Sequence, residues 1–244
     1  MVNDKAGYSG FVYFCTMAEK KITGYLNSFF REEIIETFRS EINPLIEVAI
    51  INGRYQLNAG NVNYSFGPLH DAFRKYFHKD PPNLNEKSKV LILGLGGGSV
   101  VKILREEYNL SSKITGIEID PAVIEAGIKY FSLDKVKNLE VLNTDAFEFI
   151  TKCKQKFDLI VVDIYIDDTT PPVFESQQFI SNLGRCLKDS GKVVFNKLQH
   201  SGEDDFGVKR LSNYFRTEFR QTKVHKVNVN KSSPNFFITG TNID

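Results

Sequence analysis

The sequence lacks the features that mark several common classes of protein. No apolar stretch in its 244 residues approaches the roughly 20 residues that a membrane-spanning helix needs, and the opening segment, MVNDKAGYSGFVYFC, has too short an apolar run for a secretory signal. Neither sign of charge is in excess, with 31 Lys and Arg against 30 Asp and Glu, so the composition does not indicate binding to nucleic acid or to an anionic membrane. The three cysteines, Cys15, Cys153 and Cys186, are odd in number and widely spaced, which fits neither a disulfide framework nor a metal site. We therefore expect a soluble cytoplasmic protein with a small-molecule partner and no metal, nucleic acid or membrane.

Internal repeats and low-complexity tracts are also absent, and the chain instead alternates strand and helix patterns from residue 89 onward. Apolar strand segments such as VLIL, KITGIEI, LEVLN, FDLIVV and GKVVF are separated by segments with helical spacing, which indicates a parallel sheet. The last two strand segments, KVHKVNVN and NFFITGT, are joined by KSSP alone, so they must pair antiparallel. The sequence predicts an α/β fold with a seven-stranded, mostly parallel sheet that ends in an antiparallel hairpin.

The segment before this alternation has a different pattern. A short amphipathic helix is predicted within residues 18–30, followed by a β-hairpin unit whose two-residue turn is Asn52-Gly53. A helix that begins at Pro68 then carries an apolar stripe and ends before the polar stretch HKDPPNLNEKSK. These changes divide the chain into an N-terminal segment, 1–66, and a sheet-forming domain, 67–244.

Four glycines lie between the first buried strand and the helix that follows it, in VLILGLGGGSVVKIL. Gly94, Gly96, Gly97 and Gly98 lack a β-carbon, so the chain can turn sharply there and a ligand can lie against bare backbone at a helix N-terminus. The spacing fits G-x-G-x-G, whereas the dinucleotide-binding form would require a glycine at the position of Ser99. A bound nucleoside other than a nicotinamide cofactor is therefore expected.

Acidic residues follow the next three strands, at the edge of the sheet where ligands bind in open α/β folds. Glu118 can accept hydrogen bonds from both hydroxyls of a ribose, although it can also be a solvated strand-end acid. Asp145 with Ala146 can accept a hydrogen bond from an adenine amino group and leave room for the ring, or Asp145 can cap a helix. Asp163, with Tyr165 on the same side of the chain, can orient or deprotonate an attacking amine, or bond the glycine loop as a structural acid. We assign the catalytic role to Asp163 and Tyr165 and the nucleoside to the other residues.

Taken together, LILGLGGGSVVKIL, ITGIEIDPAVIEAGIKYF, LEVLNTDAFEFI and FDLIVVDIY resemble the spermidine synthase family in type and order. The resemblance runs from about residue 33 to 240 and implies a Rossmann-like class I methyltransferase fold. It also implies a sulfonium nucleoside, either S-adenosylmethionine or its decarboxylated form, with methylthioadenosine as a related ligand, and transfer of an alkyl group from its sulfur.

Departures from the family pattern bear on which group is transferred. Where aminopropyltransferases carry a D-S-S-D-P-type loop, this chain has DIYIDDTTPP with only Asp163 in register, and Leu69-His70-Asp71 stands where they have tyrosine, histidine and glutamate. Each charged hydrogen bond contributes only about 1.5–3 kcal/mol, so losing several acidic or aromatic partners would weaken binding of a polyamine. We therefore favour a methyltransferase on a small acceptor, with an aminopropyltransferase as the runner-up and a non-catalytic nucleoside-binding protein as a third hypothesis.

The leading segment supplies the remaining predicted contacts. Asn63, Tyr64 and His70 are expected to close the site over the substrate. The hairpin also offers edge strands that can pair between subunits, which makes a homodimer an expectation.

Overall fold

A computed structural model of the protein describes residues 25–43, 45–60, 62–199, 206–229 and 234–242. Most of the helix predicted within 18–30 lies outside these residues, and only its end, 25–27, is seen to be helical. Within the described ranges, none of the helices has the length and apolarity that crossing a bilayer requires.

The leading segment forms a four-stranded antiparallel sheet in the order β1-β2-β3-β4. The predicted hairpin is β2 and β3, and Asn52 and Gly53 in its turn have φ angles of 50° and 72°, as a turn with two left-handed residues requires. The strands of this N-terminal sheet are β1 (Glu33–Phe38), β2 (Ile46–Ile51), β3 (Arg54–Ala59) and β4 (Val62–Ser65).

The main sheet has seven strands in the order β10-β11-β9-β8-β5-β6-β7. Its strands are β5 (Lys89–Leu93), β6 (Lys113–Glu118), β7 (Leu139–Asn143), β8 (Phe157–Val162), β9 (Leu187–Leu198), β10 (Gln221–Val227) and β11 (Asn235–Thr241). Strands β9, β8, β5, β6 and β7 run parallel, whereas β11 is antiparallel to both β9 and β10. The predicted parallel sheet with a closing antiparallel hairpin is confirmed.

Helices cover both faces of this sheet because their apolar residues recur at helical spacing. Phe73, Tyr76 and Phe77 of the first helix are fully buried on one face, as their predicted stripe requires, and Leu183 and Phe215 are buried on the other face. The helices are α1 (Pro68–Lys79), α2 (Ser99–Lys102, continued by a π-helical turn at Ile103–Glu107), α3 (Pro121–Phe131), α4 (Ala146–Lys152), α5 (Gln177–Cys186) and α6 (Phe206–Glu218).

The N-terminal sheet packs one of its faces against α3. Buried residues of the sheet, among them Val48 and Leu57, form one apolar cluster with Val123 and Ala126 of that helix. Period-two alternation places the polar residues of β2 and β3 on the opposite face. That free face lies above the carboxyl ends of the main strands and forms one wall of a cavity.

Candidate functional site

The carboxyl ends of the parallel strands and the N-terminal sheet enclose a cavity of about 910 Å³. This volume is within the range of small-molecule sites. Most of the predicted site residues line it, namely Gly94, Gly96, Glu118, Asp145, Ala146, Asp163, Tyr165, Asn63 and Tyr64. Three predicted residues, Gly97, Gly98 and His70, are not among those that line it.

The glycine loop is shaped largely by contacts with the protein itself. Gly94 has a φ of +84°, and a β-carbon on it would lie 2.1 Å from the carbonyl oxygen of Asp163, so no other residue fits there. The Gly96 N–H donates to Glu118 Oε2 at 2.9 Å, and the Gly97 N–H donates to Ser65 Oγ at 2.8 Å. Bare backbone faces the cavity at Gly94 and Gly96. The amides of Gly96 and Gly97, however, are already hydrogen-bonded to protein oxygens.

Glu118 is buried at the end of β6 and holds the loop with one oxygen and the next helix with the other. Its Oε1 accepts from the N–H of Asp120 at 3.1 Å, while Oε2 accepts from Gly96. Burial raises the pKa of Glu118 to about 6, and the backbone hydrogen bonds oppose that shift. Each oxygen keeps a further lone pair, so the carboxylate can still accept ribose hydroxyls. The neighbouring Ile119 is 43% exposed and gives the cavity an apolar wall.

Asp145 begins α4 and caps it, because its Oδ1 accepts from the N–H of Glu148 at 2.8 Å. The alternative interpretation of Asp145 as a helix cap is therefore confirmed. The same residue and the buried Ala146 also line the cavity, so capping and contact with a nucleoside are compatible.

Asp163 emerges from β8 beside the glycine loop, and a neighbouring strand holds its side chain. Its Oδ1 accepts from Asn196 Nδ2 at 3.0 Å, and Asn196 Oδ1 accepts from Asn235 Nδ2 at 3.0 Å. Burial raises the pKa of Asp163 to about 7, the hydrogen bond from Asn196 opposes the shift, and the negative charge of Glu118 adds to it. Sequence reasoning missed both asparagines, and the only signal was a polar residue inside one apolar strand segment, at Asn196, and at the start of the other, at Asn235.

Tyr165 and the two lining residues of β4 use their polar atoms within the protein. The Tyr165 hydroxyl donates to the Asn196 carbonyl and accepts from the Leu198 N–H, both at 2.9 Å, and burial raises its pKa far above the usual value. The Tyr64 hydroxyl lies 2.8 Å from the carbonyl oxygen of Tyr165. The Asn63 amide bridges β3 to the turn before α1, since its Oδ1 accepts from Gly67 and its Nδ2 donates to Ser65 and β3. These side chains brace the cavity wall, which argues against a chemical role for the Tyr165 hydroxyl.

His70 lies away from the cavity, with its ring stacked on Phe66 at 5.7 Å between centroids. Burial lowers the pKa of His70, with a further contribution from the charge of Arg74. Its predicted contact with substrate is not supported by this geometry.

Every charged side chain among the described residues that line the cavity is acidic. There is no lysine, arginine or histidine in this lining. The acids are Glu32, Glu47, Glu118, Asp145, Asp163 and Asp168. Glu47 lies on β2 and Glu32 immediately precedes β1, and period-two patterning could not distinguish a face over a cavity from a face in water.

Comparisons with known proteins agree with the fold. The spermine/spermidine synthase domain family matches residues 75–236, more than half of the chain. The chain is 33% identical to the polyamine aminopropyltransferase of Vibrio vulnificus over 116 residues (46% of this chain, 38% of that protein). It is 27% identical to that of Thermoplasma volcanium over 182 residues (72% and 62%). It is also 28% identical to the eEF1A lysine and N-terminal methyltransferase of Bos taurus over 118 residues (44% and 17%), so it spans less than two thirds of each relative.

Solved structures show the same fold. A probable spermidine synthase from Corynebacterium glutamicum matches with a TM-score of 0.73 at 18% identity, covering 87% of this chain and 81% of that one. Human methyltransferase-like protein 13 in complex with SAH matches with a TM-score of 0.54 at 19% identity, covering 71% and 78%. The predicted Rossmann-like methyltransferase fold is confirmed, and the chain belongs to the spermine/spermidine synthase family.

Proposed function

We propose that this protein transfers an alkyl group from a sulfonium nucleoside to a cationic amine, and that the group is aminopropyl. The observation that carries the proposal is the wholly acidic set of charged side chains that line the cavity, within the described residues. A cavity of one charge sign attracts ligands of the opposite sign and excludes like charge. Both a sulfonium centre and a protonated amine meet this requirement.

The same lining favours the decarboxylated donor. S-adenosylmethionine would bring a carboxylate into a cavity whose charged groups are acidic, and the amides of Gly96 and Gly97 are already paired with protein oxygens. A buried negative charge without a partner is strongly disfavoured. The decarboxylated donor has a hydrogen in place of that carboxylate and keeps only the ammonium group, whose charge suits the acidic lining.

Two acids from the N-terminal segment change the balance between the two transferase hypotheses. The sequence favours methyl transfer because the loop after β8 lacks most of the acids that the family uses to bind a polyamine. Glu47 on β2 and Glu32, which immediately precedes β1, bring carboxylates to the cavity from another part of the chain. They can replace the missing loop acids, so the reason for favouring methyl transfer weakens.

The residues divide the work by their place in the cavity. Glu118 and Asp145 are suited to the ribose and adenine, with Ile119 and Ala146 as the apolar wall. The bound sulfonium nucleoside supplies an electrophilic carbon beside a positively charged sulfur that leaves as a neutral thioether. Asp163, whose pKa of about 7 makes it a stronger base than an ordinary carboxylate, can take the proton that the amine must lose before its lone pair attacks. Positioning of the two reactants supplies most of the remaining rate enhancement.

The deciding experiment offers the purified protein each donor with a diamine and with a triamine, and detects the product by mass spectrometry. We expect an aminopropylated amine from decarboxylated S-adenosylmethionine and no methylated amine from S-adenosylmethionine. Glu47→Gln should raise the KM for the amine about tenfold because a charged hydrogen bond is worth about 1.5–3 kcal/mol. Glu125→Gln, which neutralises an exposed acid outside the cavity, is the matched control.

Other results would support the other hypotheses. A methylated amine formed from S-adenosylmethionine would restore the methyltransferase, a function that the bovine relative's name carries. Tight binding of methylthioadenosine without turnover of either donor would favour a non-catalytic nucleoside-binding protein.

A further inference from the structure

We propose that Asn196, oriented by Asn235, is the positioning residue that fixes the Asp163 carboxyl group toward the amine-binding part of the cavity. The pair forms a relay of amides that runs from β11 through β9 to the end of β8. No other described residue hydrogen-bonds the Asp163 side chain, and the bond uses Oδ1 only. The catalytic consequence rests on the proposed function, whereas the relay itself can be tested without substrate.

The burial of the two amides makes their orientation matter. Asn196 is 0% exposed and Asn235 is 7% exposed, so unpaired polar atoms on either would be costly. Asn196 has a donor and an acceptor, and only one orientation places its NH₂ group on the carboxyl of Asp163. The NH₂ group of Asn235 bonds the Asn196 oxygen and thereby selects that orientation. Turning the Asn196 amide over would set two donors against each other and two acceptors against each other.

The main chain of Asn196 secures the same corner. Its carbonyl oxygen accepts from the hydroxyl of Tyr165, two residues beyond Asp163. Asn196 is therefore hydrogen-bonded to the segment after β8 at two points, through its side chain and through its backbone. The Asp163 carboxyl can neither rotate nor shift without breaking one of these bonds.

The ionisable groups around Asp163 make this single donor important. On the other elements that bound the cavity they are acids or phenols: Glu118 at the end of β6, Asp145 before α4, Glu32 and Glu47 from the N-terminal segment, Tyr64 on β4, and Tyr165 and Asp168 in the segment after β8. None of them stabilises a second negative charge. The neighbouring Lys197 is turned away and pairs with Glu175 at 2.6 Å. Among the described residues, the Asn196 amide is thus the group that favours the ionised form of Asp163.

The test is a ¹³C NMR titration of the aspartate carboxyl carbons in the full chain, with the Asp163 signal assigned from Asp163→Asn. We expect Asn196→Ala to move the titration midpoint of Asp163 upward by about one pH unit, since a hydrogen bond to the charged form is lost. Asn235→Ala should move it in the same direction by less, because the Asn196 amide is freed to turn over. Asn182→Ala is the control, as it removes a buried amide that bonds Thr151 instead. It should leave the midpoint unchanged.

An unchanged or lowered midpoint in Asn196→Ala would overturn the proposal. If that variant does not fold, Asn235→Ala decides alone, and no upward movement there would equally overturn it. The NMR midpoint tests the relay, whereas the pH profile of aminopropyl transfer tests the proposed function. A shifted NMR midpoint with no transferase activity in the unmodified protein would leave the relay intact and remove the proposed function.

Discussion

Glu118 is the residue whose ligand contact can be measured most directly. It already accepts two backbone hydrogen bonds, and a ribose would use its remaining lone pairs. We expect Glu118→Ala to weaken the binding of methylthioadenosine by about 1.5–3 kcal/mol in isothermal titration calorimetry, because a charged acceptor is lost. Glu140→Ala on the neighbouring strand, which removes only an exposed partner of Lys113, should leave the affinity unchanged. Equal affinities for the two variants would take Glu118 out of the nucleoside site.

Among the individual site residues, the acids at the strand ends could be predicted from the sequence, whereas the asparagine amide that contacts Asp163 could not. Glu118 ends β6, Asp163 directly follows β8 and Asp145 lies two residues beyond β7, so sheet topology alone carries them to one edge. Asn196 joins Asp163 to β11 through bonds between residues 33 and 39 positions apart, and no local pattern encodes such pairs. Alternation along the chain places Tyr165 on the same side as Asp163, and both line the cavity. It does not show the hydrogen-bond partners of the Tyr165 hydroxyl, which are backbone groups of β9.

Two helix caps of the same kind have different consequences for the elements around them. Ser176 caps α5 by accepting from the Phe179 N–H at 3.2 Å. Asp120 caps α3 by accepting from the Ala122 N–H at 2.9 Å, and its other oxygen accepts from Asn43 at 2.6 Å and from Ser40. It therefore also ties the connection between β1 and β2 to the main domain.

We expect Asp120→Ala to lower the free energy of unfolding by about 2 kcal/mol more than Ser176→Ala. Each variant loses a cap worth about 0.5–2 kcal/mol, and Asp120→Ala also loses charged hydrogen bonds worth about 1.5–3 kcal/mol. Urea denaturation measures the difference. Hydrogen exchange should quicken across β1 to β3 in Asp120→Ala alone. Equal losses in both variants would mean that the tie to the N-terminal sheet contributes nothing.

The elements themselves followed from the sequence where the apolar period is long and regular. The helix from Pro68 and the five parallel strands with their closing antiparallel hairpin are examples. The fourth strand of the N-terminal sheet, Val62–Ser65, is too short to show an alternation of apolar and polar residues in the sequence. It is recognised as a strand only by its pairing with β3.

For the whole molecule, the sign of charge in the cavity was the property that could not be predicted. Overall composition is balanced between acids and bases, and the six acids of the lining come from two parts of the chain that meet only when the N-terminal sheet docks on α3. Docking adds Glu32 and Glu47 to acids that the main sheet already presents. Under the proposed function, these two carboxylates take the place of the acids that the loop after β8 lacks.

The same concentration of buried acids makes stability depend on pH in a defined direction. Burial raises the pKa of Asp163 to about 7, so the folded protein holds a proton that the unfolded chain releases near pH 4. This stabilisation is complete below the unfolded pKa and is lost as pH rises through about 7. Urea denaturation should therefore show the free energy of unfolding falling by roughly 1–2 kcal/mol more in the unmodified protein than in Asp163→Asn between pH 5.5 and 8.

The comparison isolates Asp163 because the opposing groups are common to both proteins. Burial lowers the pKa values of His70 and His225, so their contribution is present above the unfolded pKa and is lost as pH falls. That term cancels in the difference between the two proteins. Parallel pH profiles for the two proteins would show that Asp163 titrates as it does in water. The side chain of Asp163 would then be accessible to solvent, and burial would not raise its pKa.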